Sequence, residues 1–165
     1  MKKSQKGFTI IEVALVLAVG ALIFLVVFLA VPALQRNQRN DARKRDQAQV
    51  VEAITSYIAN NPASPLVDAD DVVYKDGKGQ GSSFGKYIDT LSNNTEIVKV
   101  VAGDIPKDTD TSVPPQELRK TIYVKNQYVC SDNHKDAVKG STRQAAVFIY
   151  NETAHGFDRL CSSAN

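Results

Sequence analysis

Apolar and polar positions fall into three successive textures over the first third of the chain. Residues 13–34 (VALVLAVGALIFLVVFLAVPAL) contain no charge and no strongly polar side chain. The next stretch, QRNQRNDARKRDQ at 35–47, has Ala42 as its single apolar side chain. From Ala48 a stripe begins: Ala48, Val51, Ile54 and Ile58 recur at helical spacing, and Val50, Ala53 and Tyr57 widen it. That spacing predicts an amphipathic helix with one core-facing side. Asn60, Asn61 and Pro62 close it, because proline disfavours helical geometry in the residue before it. The prediction is one helix over residues 8–61, apolar on all sides at first, then a polar neck, then one-sided.

After Pro62 the texture changes to Gly, Ser, Asp and short β-rich runs. Residues 61–83, with Pro65, Gly77, Gly79 and Gly81, read as a loop region. Residues 84–91 predict a short helix carrying Phe84, Tyr87, Ile88 and Leu91 on one side. Strands are expected at 96–102, 121–129 and 145–151, with Pro106, Pro114 and Pro115 marking the first connector. The expected fold class is α+β: a long N-terminal helix packed on a small antiparallel sheet.

The apolar run has the length of a membrane span. Its 22 residues make a helix of about 33 Å against a hydrocarbon core of roughly 30 Å. A removable secretory signal, cut near Val31 and Ala33, is the weaker reading, since such signals have an apolar stretch of only about 7–15 residues. Mean hydropathy over the whole chain is negative in spite of the run, which excludes a multi-pass membrane protein.

Charge removes another class. Lys and Arg total 20 against 18 acidic residues, but Lys2, Lys3 and Lys6 precede the apolar run. From Pro62 onward there are 12 basic and 14 acidic side chains. A slightly acidic distal part lacks the broad positive field that nonspecific nucleic-acid binding needs, so nucleic acid is not expected as the main ligand.

Glu12 stands out against this background, with Phe8, Ile10 and Ile11 before it and the uncharged run after it. A carboxylate next to hydrocarbon costs up to a few kcal/mol unless a cation or hydrogen-bond donors meet it. One turn further on stand Leu15 and Val16, so the helix is expected to offer no partner. A cation from another chain is the expected solution.

The segment Lys6-Gly7-Phe8-Thr9-Ile10-Ile11-Glu12 resembles the class III signal of type IV prepilins: a short basic leader ending in Gly, then Phe, three uncharged residues, Glu and a long apolar helix. The resemblance implies cleavage between Gly7 and Phe8 by a prepilin peptidase, and methylation of the new amino group of Phe8. It further implies that Glu12 pairs with the amino terminus of a neighbouring subunit. On that basis residues 1–7 are the leader, 8–34 the transmembrane and assembly helix, 35–61 its amphipathic continuation and 62–165 a pilin-like head. Loss of the leader would leave 17 basic and 18 acidic residues, a change from +2 to −1. The implied partners are the peptidase, copies of the chain and other pilins in a helical filament, the assembly machinery, and the bilayer before assembly. The implied topology places the amino terminus in the cytoplasm and the head outside, then on the cell surface.

Two features depart from this picture. Many family members loosen their helix at an internal proline, whereas here Pro32 comes late; Gly20 is the other weak point, costing about 1 kcal/mol relative to Ala. Arg36, Arg39, Arg43, Lys44 and Arg45 follow the span, and the positive-inside rule would place that side in the cytoplasm. The resemblance places it outside, and Asp41 and Asp46 dilute the basic cluster. The neck reads either as a solvated connector or as a partner for acidic neighbours in a filament. A pseudopilin of a secretion or DNA-uptake machine would carry the same signal. An unprocessed membrane-anchored binding domain is the alternative from another class.

If the head lies outside, its compartment permits oxidation, and Cys130 and Cys161 are expected to form a disulfide. Many pilins close a similar carboxy-terminal loop. Pinning a loop of about 30 residues would stabilise the fold by roughly 3–4 kcal/mol. Cys130, His134, His155 and Cys161 form C-x3-H-x20-H-x5-C, which is not a usual zinc spacing. Asp132 and Asp136 lack the ligand spacing of a calcium loop. The glycines around 77–85 do not make a P-loop, because Tyr87 stands after Gly85-Lys86 where a Ser or Thr is needed. Asn93-Asn94-Thr95 and Asn151-Glu152-Thr153 match glycosylation acceptors, triplets common by chance. No catalytic constellation, cofactor site or metal site is expected, and the chain reads as a structural subunit rather than an enzyme.

Overall fold

In the computed structural model, the residues described are 7–64, 66, 70–81, 83–107 and 114–165. The leader lysines and Pro65 lie outside them. Helix α1 runs Ile10–Asn60, continuing through Pro32. Internal contacts divide the chain into two units, one ending at Asn37 and the other spanning Gln38–Asn165.

In the first unit the apolar side chains are open to the surroundings, from Phe8 (88% exposed) to Leu34 (57%). Among the described residues one helix is long and apolar enough to cross a membrane, and none of its most apolar window is buried.

The second unit is α+β. Its strands are β1 (Asp71–Lys75), β2 (Lys78–Gly79), β3 (Ile97–Val100), β4 (Thr121–Asn126), β5 (Tyr128–Cys130), β6 (Ala137–Lys139), β7 (Ala145–Glu152) and β8 (Phe157–Ala164). A 3-10 turn at Phe84–Tyr87 and a short helix α2, Pro115–Lys120, interrupt them. Six strands form one sheet in the order β2-β1-β3-β4-β7-β8, and β5 and β6 form a separate hairpin. The sheet is mixed, not purely antiparallel: β3 and β4 run parallel, Ile97 opposite Thr121 and Val100 opposite Val124. A parallel neighbour needs a long crossover, and the segment containing α2 supplies it.

Strands β4 and β7 are buried on both faces. On one face Ile122, Val124, Ala145, Val147 and Ile149 pack with Val50, Ala53, Ile54 and Ile58 of α1. On the other, Tyr123, Ala146, Phe148 and Tyr150 pack with Ile105, Leu118 and Cys161. Two covered faces explain why β7 begins as a continuous apolar run, AAVFIY, rather than an alternating one.

Several sequence expectations are corrected here. The expected loop over 61–83 contains the β1–β2 hairpin. Its turn is Asp76-Gly77, both at positive φ (54° and 75°), the backbone that Asp-Gly pairs supply to two-residue hairpins. Gly79 and Gly85 sit where backbones meet; a Cβ on Gly79 would lie 1.9 Å from the Gly85 carbonyl oxygen. The helix expected over 84–91 shortens to the 3-10 turn, with Phe84, Ile88 and Leu91 buried. The strand expected over 121–129 breaks at Gln127, whose φ is 66°, and restarts as β5. Strands β6 and β8 and helix α2 were not anticipated.

The polar neck is neither simply solvated nor reserved for neighbouring molecules. Ala48 is exposed, and the buried line on α1 is Arg43, Asp46, Gln47, Val50, Ala53, Ile54 and Ile58. The same helix face thus continues into polar residues, each partnered by the head. Asp46 accepts hydrogen bonds from Ser92 N (2.9 Å), Ser92 Oγ (2.6 Å) and Thr95 Oγ1 (2.6 Å). Gln47 Nε2 donates to Val147 O at 2.8 Å. At the helix end Arg143 Nη2 donates to Ile58 O at 2.7 Å, satisfying a last-turn carbonyl that has no helical partner.

Glu152, at the end of β7, binds the neck most tightly. Arg39 meets its carboxylate in a fork, Nε to Oε1 at 3.1 Å and Nη2 to Oε2 at 2.7 Å. Arg43 Nη2 donates to Oε1 at 2.7 Å. The Asn40 amide accepts from Glu152 N at 2.8 Å and donates to Glu152 O at 2.9 Å. The Glu152 side chain is 7% exposed. Hydrogen bonding from Arg39, then from Arg43, outweighs the opposing effect of burial and holds its carboxyl down at about 2. The same carboxylate raises Arg39, whereas burial lowers the more enclosed Arg43.

The β5–β6 hairpin is tied to edge strand β8 by the Cys130–Cys161 disulfide, with Cα atoms 5.7 Å apart. Cys161 N donates to His134 O at 2.7 Å and Cys130 N to Ser163 Oγ at 2.8 Å.

Two outcomes are expected. An unfolded carboxylate titrates near about 4.3, so the stabilisation from Glu152 is complete above that value and disappears as pH falls toward about 2. Urea unfolding of the full chain in detergent micelles should show that decline. Glu152→Gln should cost about 3 kcal/mol at neutral pH, as loss of one partner from a buried ion pair does, and should flatten it; an unchanged acid limb in the variant contradicts the assignment. Replacing both cysteines by Ser should lower the unfolding free energy by about 3 kcal/mol while far-UV circular dichroism retains the sheet signal. Equal urea midpoints for variant and parent would show that the cross-link adds no stability.

Candidate functional site

The sequence singles out Gly7, Phe8 and Glu12. Gly7, Phe8 and Thr9 precede the helix in non-helical backbone and are exposed. A Cβ built on Gly7 meets nothing within 4 Å, so this chain itself imposes no need for glycine there. The two residues flanking the Gly7–Phe8 peptide bond are both exposed.

Thr9 is the helix N-cap. Val13 N donates to Thr9 O at 3.3 Å, closing the first turn. Glu12 Oε2 accepts from Thr9 N at 2.8 Å and from Thr9 Oγ1 at 2.9 Å, and Glu12 N donates back to Thr9 Oγ1 at 3.4 Å. Thr9-Ile10-Ile11-Glu12 is therefore a capping box, in which the first and fourth residues satisfy each other's backbone N–H groups. This corrects the expectation that the helix offers Glu12 nothing: its partner lies one turn before it, not one turn after. The signal was legible as Thr-x-x-Glu ahead of an apolar run.

The capping box settles where the carboxylate points without neutralising it. Threonine supplies dipoles, and the helix N-terminus adds the partial positive charge of its free N–H groups. A full cation near Thr9 would still gain from Glu12. Phe8 and Val13 occupy the flanking positions of a hydrophobic staple and border a common apolar groove with Glu12, Leu15, Val16 and Leu17. Beyond it, Gly20 leaves open space for a Cβ, and Pro32 lies inside the continuous helix with no N–H to donate.

The other sequence-selected residues lie in the second unit. The disulfide removes both sulfurs from the set with His134 and His155, and those two histidines are exposed. Among the described residues no group of three or more His, Cys, Asp or Glu is arranged to hold a metal ion. Thr95 of the first glycosylation triplet is buried with its hydroxyl on Asp46, and Asn151 of the second is half-buried within β7. Sequence reasoning missed Thr9 as a cap and Glu152 as the acceptor for the neck arginines.

No curated protein and no solved structure matches the chain at a significant level. Residues 2–28 match the family described as the prokaryotic N-terminal methylation motif, a stretch that contains the Gly7–Phe8 bond, the Thr9–Glu12 capping box and most of the apolar run. Over residues 2–28 this chain carries a class III, prepilin-type signal like that of type IV pilin-like proteins.

Proposed function

We propose that the chain is a structural subunit of a type IV pilus. A prepilin peptidase cleaves Gly7–Phe8 and methylates the Phe8 amino group, and the helix then passes from the bilayer into a filament of like helices. The observation that carries this reading is the pairing of a methylation motif with an apolar helix left uncovered by the described residues. A span needs cover from lipid, and a filament offers cover from copies. Cleavage also creates a cation four residues before Glu12, matching the charge that the capping box leaves uncompensated. The head, with its sheet and disulfide, would face outward and give the filament its surface.

Glu12 then has two separable roles, capping its own helix and setting register against a neighbour. In a misregistered subunit the carboxylate would face hydrocarbon without a cation, a penalty that favours one axial position. Glu12→Gln retains an oxygen that can accept from Thr9 N and removes the charge. The variant is expected to be cleaved and methylated normally while the yield of filaments sheared from cells falls at least about tenfold. Normal filament yield would contradict the register role. Processed subunits of the unmodified protein that stay in the envelope, with no sheared filament, would identify a pseudopilin instead. A chain that keeps its leader would identify an anchored binding domain.

A further inference from the structure

Three guanidiniums converge on one carboxylate at the end of β7. Arg39 and Arg43 stand about one turn apart on α1, and Arg119 comes from the last turn of α2, whose Leu118 is anchored in the core. Arg39 Nε and Arg119 Nε approach the same oxygen, Glu152 Oε1, at 3.1 and 3.4 Å, and Arg43 Nη2 reaches it at 2.7 Å. Register sets Phe157 of β8 opposite Glu152, and the Arg119 guanidinium lies over that ring, 5.9 Å from its centroid. Three positive charges thus share one negative charge. Burial lowers Arg43, Glu152 opposes that effect, and the like charges of Arg119 and Arg39 add to it.

The three arginines differ in the donors they keep available. Arg43 is buried, and its two Nη groups go to Glu152, Tyr150 O and Asn40 Oδ1. Arg39 and Arg119 keep 36% and 42% of their side chains exposed. Arg39 uses Nε and Nη2 on Glu152, and its Nη1 makes no hydrogen bond among the described residues. Arg119 makes none at all among them: its Nε is enclosed without an acceptor, held by the ion pair to Glu152, and its two Nη groups are unmatched. A guanidinium has five N–H donors, and one stacked by its face on a ring keeps them at its edge. The Glu152 carboxylate is buried with both oxygens held by arginine, so little of its charge faces an arriving anion.

We infer that the exposed edges of Arg39 and Arg119 bind a phosphate group of the phosphomonoester class. Such a group carries about −1.5 to −2 at neutral pH, which offsets the excess positive charge of the cluster. Its three terminal oxygens accept from two guanidiniums at once, and each bond is charge-assisted, the stronger kind. A carboxylate has a single charge and two oxygens, so it would meet one arginine fork and leave the other unmatched. The same chemistry reaches the site from two sources, free phosphate in solution or the headgroup of a lipid; Arg39 stands five positions after Leu34, the last residue of the apolar run. Nothing in this inference depends on leader cleavage or filament formation.

The test is NMR titration of the isotope-labelled full chain in nonionic detergent micelles, at constant ionic strength, with inorganic phosphate, acetate and short-chain phosphatidic acid. Phosphate is expected to bind with a Kd on the order of 1 mM, the weak binding a ligand of a few atoms allows. It should shift the side-chain Nε–H resonances of Arg39 and Arg119 and the amides of Glu152 and Phe157, with acetate at least about tenfold weaker. Arg119→Gln should weaken phosphate binding at least about tenfold while leaving the remaining spectrum in place. Phosphatidic acid binding more tightly than phosphate supports the site with a lipid as its source; equal or weaker binding supports it with the free anion. Equal shifts by acetate overturn phosphate recognition. Shifts that persist in Arg119→Gln, or no shift from either phosphate ligand at about ten times the expected Kd, overturn the site. Should Arg119→Gln fail to fold, the ranking of phosphate over acetate on the parent chain and the location of the shifts still decide the question.

Discussion

A helix satisfies its backbone hydrogen bonds internally, and when its side chains are apolar on every side it depends on matter outside itself to cover them. Residues 13–34 meet that description, and among the described residues nothing buries their most apolar window. In water, exposed apolar surface costs about 25 cal/mol for each Å², so a bare run of this length is untenable in an aqueous compartment. Lipid and a bundle of like helices are the two covers this chemistry allows, and both satisfy the same side chains. Under the proposed function, passage from one to the other would exchange equivalent environments for most of the run. In the proposed assembly Glu12 is where the two would differ, because a neighbouring chain can bring a cation to its carboxylate and lipid tails cannot.

The second unit meets the opposite requirement. Its part of α1 enters from a sequence too polar to be held by hydrophobic contact alone, and the head holds it by hydrogen bonds instead. Arg39, Asn40 and Arg43 converge on Glu152, Asp46 collects the Ser92–Thr95 turn, and Gln47 reaches a β7 carbonyl. Directional contacts of this kind fix rotation and axial position of the helix on the sheet, since a shift by one residue would strand buried charges. Further along, Val50, Ala53, Ile54 and Ile58 add the apolar cover. The division of labour is orientation by polar residues and cohesion by apolar ones.

Local signals in the sequence anticipated the helix, its ends and the strands β3, β4 and β7, because periodicity and β-branched runs act over a few residues. The processing motif was equally legible, since its meaning lies in consecutive side chains. What escaped depended on distance. The burial of Arg43 and Asp46 requires Glu152, Ser92 and Thr95, remote in sequence, so the neck looked solvated and Ala48 looked buried. Edge strand β8 (FDRLCSSA) has no apolar alternation, and its pairing with β7 supplies what its composition does not. The parallel β3–β4 pair could not be read from strand patterns, which carry no direction. Two misses were local and avoidable: the Asp76-Gly77 hairpin turn, and Thr9-x-x-Glu12 as a capping box.

The central claim is that the Gly7–Phe8 bond is cut and the new terminus becomes part of an assembling subunit. Intact mass and amino-terminal sequencing of the native protein from its own cells test it most directly. The expected chain starts at N-methylated Phe8 and lacks two hydrogens, those of the Cys130–Cys161 disulfide. A chain that still starts at Met1 would contradict the account and leave an anchored head that is never released for assembly.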